Sequence, residues 1–278
     1  MTTSTVPVPG GMLNVVDDGD PANPPIILLH AWIADLRAWD DMAPLLVASG
    51  YCVIRFDGRG FGRTTTDDVQ YSPRADVIAL LDALVSQRAV LVGNSGGGSV
   101  AYDTAIEYPD RVVAVVGVGA GLSGYEGEGL TPAETALFEE MEAIESEAEP
   151  DPAKIAAIDV RVWVDGPGQP ETRVPAAIRE RVREMDAPQY VAGLVRGRLV
   201  ALDPPAAERL ADLRCPVLAV AGALDVSDVA QTARHLEAAA PDARAVILPH
   251  VAHMIGMEVP DELAKLIVEF LAPLPRWS

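Results

Sequence analysis

The chain has 278 residues, 49% of them hydrophobic, and a formal net charge of −20. That charge argues against nucleic acid or anionic membrane as a partner, and no run of about 18 apolar residues is present to span a bilayer. The length suits one large α/β domain with an insertion, or two small domains.

Residues 12–16 and 26–29 read as strands separated by a turn rich in Asp, Gly and Pro, the second of them fully buried. Residues 36–48 have the apolar spacing of a short helix, and 51–56 form another buried strand. An amphipathic helix is predicted over 74–85. The strand 89–92 leads into Gly93-Asn94-Ser95-Gly96-Gly97-Gly98, and a helix-compatible segment follows over 99–108. Residues 112–118 are a further buried strand.

The pattern then changes. From 122 to about 205 the chain is rich in Ala, Glu, Arg and Pro and has no strong strand. Strand 217–221, helix 229–240, strand 245–248 and a closing amphipathic helix over 260–271 restore the alternation. Strands alternating with helices predict an α/β fold with a mostly parallel, doubly wound sheet covered on both faces. The predicted division is a core of 1–121 and 207–278 with a helical cap of 122–206. Between Glu126 and Asp151 lie ten carboxylates and no Lys or Arg. This is read as a solvated helical face, not a metal site, because no His or Cys accompanies the acids. The first ten residues lack a basic region followed by an apolar stretch, so no signal peptide is expected. Cys52 and Cys215 each open an apolar run, which predicts two reduced, buried thiols in a cytoplasmic protein.

Strand, G-x-S-x-G and helix in succession are the setting of a nucleophile elbow, a strained turn that requires small residues beside the serine. With 23 Gly and 10 Ser in the chain, chance supplies about 0.07 copies of the motif, so it needs support from elsewhere. A serine hydroxyl needs a base, and the base needs a third group to fix its tautomer. Of the four histidines, His235 lies mid-helix among polar neighbours and His30 precedes the serine. In this type of sheet the order is Ser, then Asp or Glu, then His. His250 and His253 follow the last strand, and His253 is favoured by its place just before a helix start. The acid is expected after strand 217–221, where Asp225 stands. Asp228 reads as the N-cap of the next helix. The oxyanion donors are assigned to the backbone N–H groups of Gly96 and Trp32, with the Trp32 indole as part of the pocket wall.

His30-Ala31, Asp57-Gly58-Arg59-Gly60-Phe61-Gly62, Gly93-Asn94-Ser95-Gly96-Gly97, and His253 with Glu258-Val259-Pro260 together resemble the α/β-hydrolase superfamily. Asp35-Leu36-Arg37-Ala38-Trp39-Asp40 and the stretch 71–84 are similar to the 3-oxoadipate enol-lactonases and to the related cofactor-free perhydrolases and γ-lactamases. The Gly93-Asn94-Ser95 step also resembles that of carbon–carbon bond hydrolases. The resemblance implies a structural role for the Asp57–Gly62 motif, Arg59 included. It also implies a cofactor-free, metal-free enzyme acting on a small-molecule substrate.

The leading expectation is hydrolysis of a small carboxylic ester or lactone through an acyl-enzyme on Ser95, with His253 as base and Asp225 as its partner. An amide or γ-lactam hydrolase with perhydrolase side activity would use the same triad. A hydrolase-like ligand receptor and an inactive binding protein are the expectations of another class. Superfamily members that open epoxides or displace halides use an Asp nucleophile, which Ser95 excludes. Asn94, Trp163, Tyr190 and Leu194, with Trp32, are the candidate pocket residues. No oligomeric state follows from the sequence.

Overall fold

A computed structural model describes residues 1–84 and 86–277. The last residue of the helix predicted over 74–85 lies outside the described residues. Eight strands form the main path of a nine-stranded sheet: β1 (Thr2–Val8), β2 (Gly11–Asp18), β3 (Pro25–Leu29), β4 (Cys52–Phe56), β5 (Ala89–Asn94), β6 (Val112–Val118), β7 (Val217–Gly222) and β8 (Ala243–Leu248). Their order is β1-β2-β4-β3-β5-β6-β7-β8. From β4 to β8 every pairing is parallel, while β1 and β2 pair antiparallel with one another and β2 pairs antiparallel with β4. The ninth strand is Thr65–Thr66, on the edge of β2.

The central parallel strands are mostly apolar because both faces are covered. Every residue of β3, β4, β5, β6 and β7 is buried. One face packs against α1 (Met42–Ala48) and α8 (Pro260–Leu271), which contribute Met42, Leu46, Leu263, Ile267 and Leu271. The other packs against α2 (Pro73–Ala83), α3 (Gly96–Glu107) and α7 (Ser227–Ala239), through Leu80, Tyr102, Ala233 and Leu236 among others.

The β1–β2 hairpin is longer than the strand expected at 12–16. Five of the seven β1 residues are exposed, so β1 carries almost none of the apolar signal on which the sequence reading relies. The helix expected over 36–48 is two pieces, a 3₁₀ turn (Leu36–Trp39) and α1. The first piece is capped by Asp35, whose side chain accepts the Arg37 N–H at 2.9 Å. Asp228 does not cap α7, because the helix begins at Ser227 and puts Asp228 in its first turn. Cys52 and Cys215 are buried and unbridged, and burial pushes the Cys215 thiol up to about 11.

Between β6 and β7 the chain makes a helical excursion: α4 (Pro132–Glu145), α5 (Pro152–Asp159), a π-helical turn (Val160–Asp165) and α6 (Ala176–Asp186). Its ends meet at Ser123, which accepts the Ala206 N–H on Oγ and the Ala207 N–H on its carbonyl, both at 2.9 Å. Within it, Arg198–Leu199 pairs in parallel with Gln70–Tyr71, a two-residue ladder too short for a sequence pattern to reveal. Val160, Val164, Val182 and Met185 of the excursion pack on Ala31, Ala34, Ala38, Met254 and Met257 of the core. The chain thus returns over the carboxyl ends of the parallel strands.

Leu91 lies at the centre of this sheet and is fully buried. Leu91→Ala is expected to lower the unfolding free energy by about 2–5 kcal/mol through lost burial and the cavity left behind. Urea denaturation measures this, and a change under about 1 kcal/mol would contradict a close-packed centre.

Candidate active site

Four strand ends converge at the carboxyl edge of the sheet, where sites in open parallel sheets assemble. The end of β3 leads to His30, Ala31 and Trp32. The end of β5 leads to Ser95, the end of β7 to Asp225, and the end of β8 to His253. Ser95 has φ 55° and ψ −122°, and it is the one non-glycine residue at positive φ among those described. Such a backbone costs on the order of 1–3 kcal/mol and persists only where its surroundings enforce it. Its N–H is held by the Val118 carbonyl at 2.9 Å. A Cβ on Gly97 would stand 2.5 Å from the Leu29 carbonyl oxygen and 2.6 Å from that of His30. Only glycine lets α3 start this close to β3.

His253 Nδ1 lies 2.7 Å from Asp225 Oδ2, and both side chains are buried. The carboxylate accepts, so Nδ1 carries the hydrogen and Nε2 keeps its lone pair. The other Asp225 oxygen accepts the Val226 N–H at 2.8 Å. His253 and Ser95 line one cavity of about 530 Å³. His250 is exposed and pairs with Glu262 at 3.1 Å, and His235 stacks on Tyr125. His30 also lines the cavity, but its Nε2 accepts the Gly58 N–H at 2.9 Å and its Nδ1 donates to the Ala31 carbonyl at 2.8 Å. Both of its ring nitrogens are occupied in holding loops together.

Trp32 is 53% exposed, and its indole lies flat against Gly96. A Cβ on Gly96 would meet Trp32 Nε1 at 2.5 Å and Cδ2 at 2.6 Å. The indole also lines the cavity. The backbone N–H of Trp32 has no acceptor among the described residues. That of Gly96 opens α3, where a helix leaves its first N–H groups without intrahelical partners.

The other candidate pocket residues divide. Trp163 and Tyr190 line the cavity. The Trp163 ring sits 4.8 Å from the His253 ring, tilted by 46°. Tyr190 donates its hydroxyl to Asp159 Oδ2 at 2.8 Å. Asn94 and Leu194 are corrections. Asn94 is buried at the end of β5 and does not line the cavity; its Nδ2 donates to the Val118 carbonyl at 2.9 Å and the His253 carbonyl at 3.2 Å. Leu194 closes a turn with its own N–H on the Val191 carbonyl, is 44% exposed, and lines a neighbouring groove instead.

Arg59 has a structural setting and also reaches the cavity wall. It is buried, forms a two-pronged pair with Asp76 at 2.7 and 2.8 Å, donates to the Pro9 carbonyl and lies 4.7 Å above the Tyr71 ring. Asp57 accepts from Asn14 Nδ2 and from the Leu36 and Arg63 N–H groups at 2.8–2.9 Å, which anchors its loop. Phe61 and Ile33 complete the wall near His30; Phe61 belongs to the Asp57–Gly62 motif, whose role was read as structural, and nothing in the sequence marked Ile33. Among the described residues no group of three or more His, Cys, Asp or Glu side chains could hold a metal ion.

Residues 26–266 match the alpha/beta hydrolase family, and the chain belongs to it. A rhodomycin D methylesterase from Streptomyces peucetius is 28% identical over 273 residues, covering 90% of this chain and 91% of that protein. Epoxide hydrolase B from Mycobacterium tuberculosis is 33% identical over 122 residues, 41% of this chain and 34% of that one. In fold, the enol-lactonase from Burkholderia xenovorans LB400 superposes with a TM-score of 0.75 at 21% identity, over 97% of this chain and all of that one.

The contact between Gly96 and Trp32 is open to test. Gly96→Ala is expected to lower the unfolding free energy by about 1–3 kcal/mol, because the new methyl must displace the indole. In a Trp32→Ala background most of that loss should vanish. A urea-denaturation double-mutant cycle with additive effects would show that the indole does not press on Gly96.

Proposed function

We propose that this hydrolase cleaves small carboxylic esters or lactones through an acyl-enzyme formed on Ser95. The observation that carries the reading is the buried 2.7 Å contact of His253 Nδ1 with Asp225 Oδ2, in the wall of the cavity that Ser95 also lines. In this reading His253 Nε2 takes the Ser95 proton as Oγ attacks the substrate carbonyl, and Asp225 stabilises the imidazolium that forms. The Gly96 and Trp32 N–H groups receive the developing oxyanion, a role worth on the order of 3 kcal/mol for each donor. His253 then protonates the leaving alkoxide and activates water to release the acid. With a lactone the alkoxide stays tethered, so water must reach the acyl-enzyme before the ring recloses.

An epoxide would need a carboxylate nucleophile, and the residue at the elbow is Ser95. The similarity to an epoxide hydrolase spans 41% of this chain. A methylesterase similar over 90% of the chain favours ester chemistry. The excursion over residues 122–206 is read as a cap that sets specificity, because Trp163 and Tyr190 reach the cavity from it. The remaining wall is largely apolar, with Leu29, Ile33, Phe56, Phe61 and Val100, which suits a substrate with an apolar body.

Ser95→Ala is expected to abolish hydrolysis of p-nitrophenyl acetate, measured by phenolate release. Asp225→Asn should lower kcat by about 10³–10⁴-fold, since an amide no longer enforces the Nδ1–H tautomer, while KM changes little. Full activity in the Ser95→Ala protein would overturn the nucleophile assignment, and an unaltered kcat in Asp225→Asn would overturn that of the acid.

A further inference from the structure

Two carboxylic acids lie inside the helical excursion, and among the described residues neither forms an ion pair with a Lys or Arg. Asp159, at the end of α5, and Asp186, at the end of α6, are 3% and 0% exposed. Their side chains are within hydrogen-bonding reach of one another. Neither oxygen of Asp186 meets an N–H or hydroxyl donor among the described residues. Two adjacent buried carboxylates with one donorless member cannot both ionise, because desolvation and mutual repulsion act in the same direction. The position of Asp186 at the last residue of α6 adds the negative end of a helix dipole.

The pair sits directly behind the cavity wall. Asp159 accepts the Tyr190 hydroxyl at 2.8 Å, and the Trp163 side chain lies beside it. Trp163, on the turn that continues α5, and Tyr190, with Gln189 on the turn after α6, line the cavity. Trp163 in turn lies against the His253 ring. We propose that Asp159 and Asp186 share a single proton, and that this singly protonated pair is a latch holding Tyr190 in the cavity wall beside Trp163, the ring that lies against the active-site histidine, and that it is released when the proton is lost.

The proton resides on Asp186, which donates it to Asp159. Burial, then the charge of Asp159 and its hydrogen bond, push the Asp186 carboxyl up to about 9. Burial also raises Asp159, while the Tyr190 hydroxyl and the neighbouring Asp186 and Trp163 side chains draw it back. The other charged groups facing the pair are Glu145 from α4, whose charge interacts with that of Asp159, and Arg196 from the loop beyond Tyr190, which partly favours ionised Asp186. Tyr190 is itself held neutral by burial and by the two acids. The sign follows from the raised value. The latch is intact below about pH 9 and is lost as pH rises through it. A base-dependent serine hydrolase has no such alkaline loss from its histidine, which stays unprotonated there.

Asp159 and Asp186 are positioning residues, so the test reads a pH profile. In the wild-type protein kcat/KM for p-nitrophenyl acetate, corrected for background, should fall along one ionisation near pH 9. Asp186→Asn, which fixes the neutral state, should keep neutral-pH activity within a few-fold and remove the alkaline fall. Asp159→Asn removes the charge that raises Asp186, so the fall should move to lower pH. The kinetic arm rests on the proposed roles of Ser95 and His253. A second arm does not: in the Ser95→Ala protein, tryptophan emission should change near pH 9 and lose that change on adding Asp186→Asn. An alkaline limb and an emission transition that persist unaltered in Asp186→Asn would overturn the latch. So would their absence in the protein with Asp186 intact.

Discussion

The site depends on one close approach, the packing of the first turn of α3 against the ends of β3 and β5. Gly97 rests on the Leu29 and His30 carbonyls, and Gly93 has no room for a side chain beneath Gly97 and Gly98. This contact forces Ser95 into its positive-φ conformation and points the helix N-terminus at the cavity. The strain at Ser95, on the order of 1–3 kcal/mol, is small beside the burial of five apolar strands. A rigid sheet can therefore hold a strained residue at its edge, which a mobile loop could not.

The histidine is held differently, since it lies in a loop without regular structure. That loop is pinned by buried polar ties. Asn94 takes the His253 carbonyl, and Glu258 accepts the N–H of Ala252, the residue just before His253, at 3.0 Å. Glu258 is in turn paired with Arg173, which also donates to the Val164, Asp165 and His250 carbonyls. Each tie satisfies a backbone group that burial would otherwise leave costly. Asn94 stands one residue before Ser95, so a single side chain couples the elbow to the loop carrying His253. Arg173 couples that loop to the excursion, and the geometry of the imidazole is fixed from both sides.

Much of the architecture was legible because parallel strands buried on both faces read as short apolar runs. Residues 26–29 and 217–221 are cases where hydrophobicity alone marks the element. The exposed strand β1 and the two-residue ladder at Arg198–Leu199 carry no such signal, since their pairing is set by tertiary context. At the site, motif and chain order brought out Ser95, Asp225 and His253, which the structure gathers at one sheet edge. Asn94 and Leu194 were misplaced for a common reason. A sequence position near a site does not reveal which way a side chain points, and Asn94 ends a strand with its amide turned to the backbone behind the cavity. Asp159 and Asp186 were invisible for the opposite reason. They stand 27 residues apart, among many other acids, and only folding removes them from water and places them together.

The acidic excursion thus uses two carboxyl chemistries of opposite sign, one tying it to the core and the other inside it. Glu134 is buried, which by itself raises its carboxyl. The Thr131 and Ser227 N–H and hydroxyl donors outweigh that, and its carboxyl is lowered. As an anion it both completes the capping box of α4 and accepts from the first residue of α7, two residues beyond Asp225. That attachment is present above the ordinary carboxylate range and weakens as pH falls through the lowered value. The Asp159–Asp186 pair requires a retained proton and weakens as pH rises. Between those limits both contacts hold, one beside the acid and the other beside the histidine. The two ends of the Asp225–His253 pair are therefore each buttressed by the excursion, although it contributes neither residue.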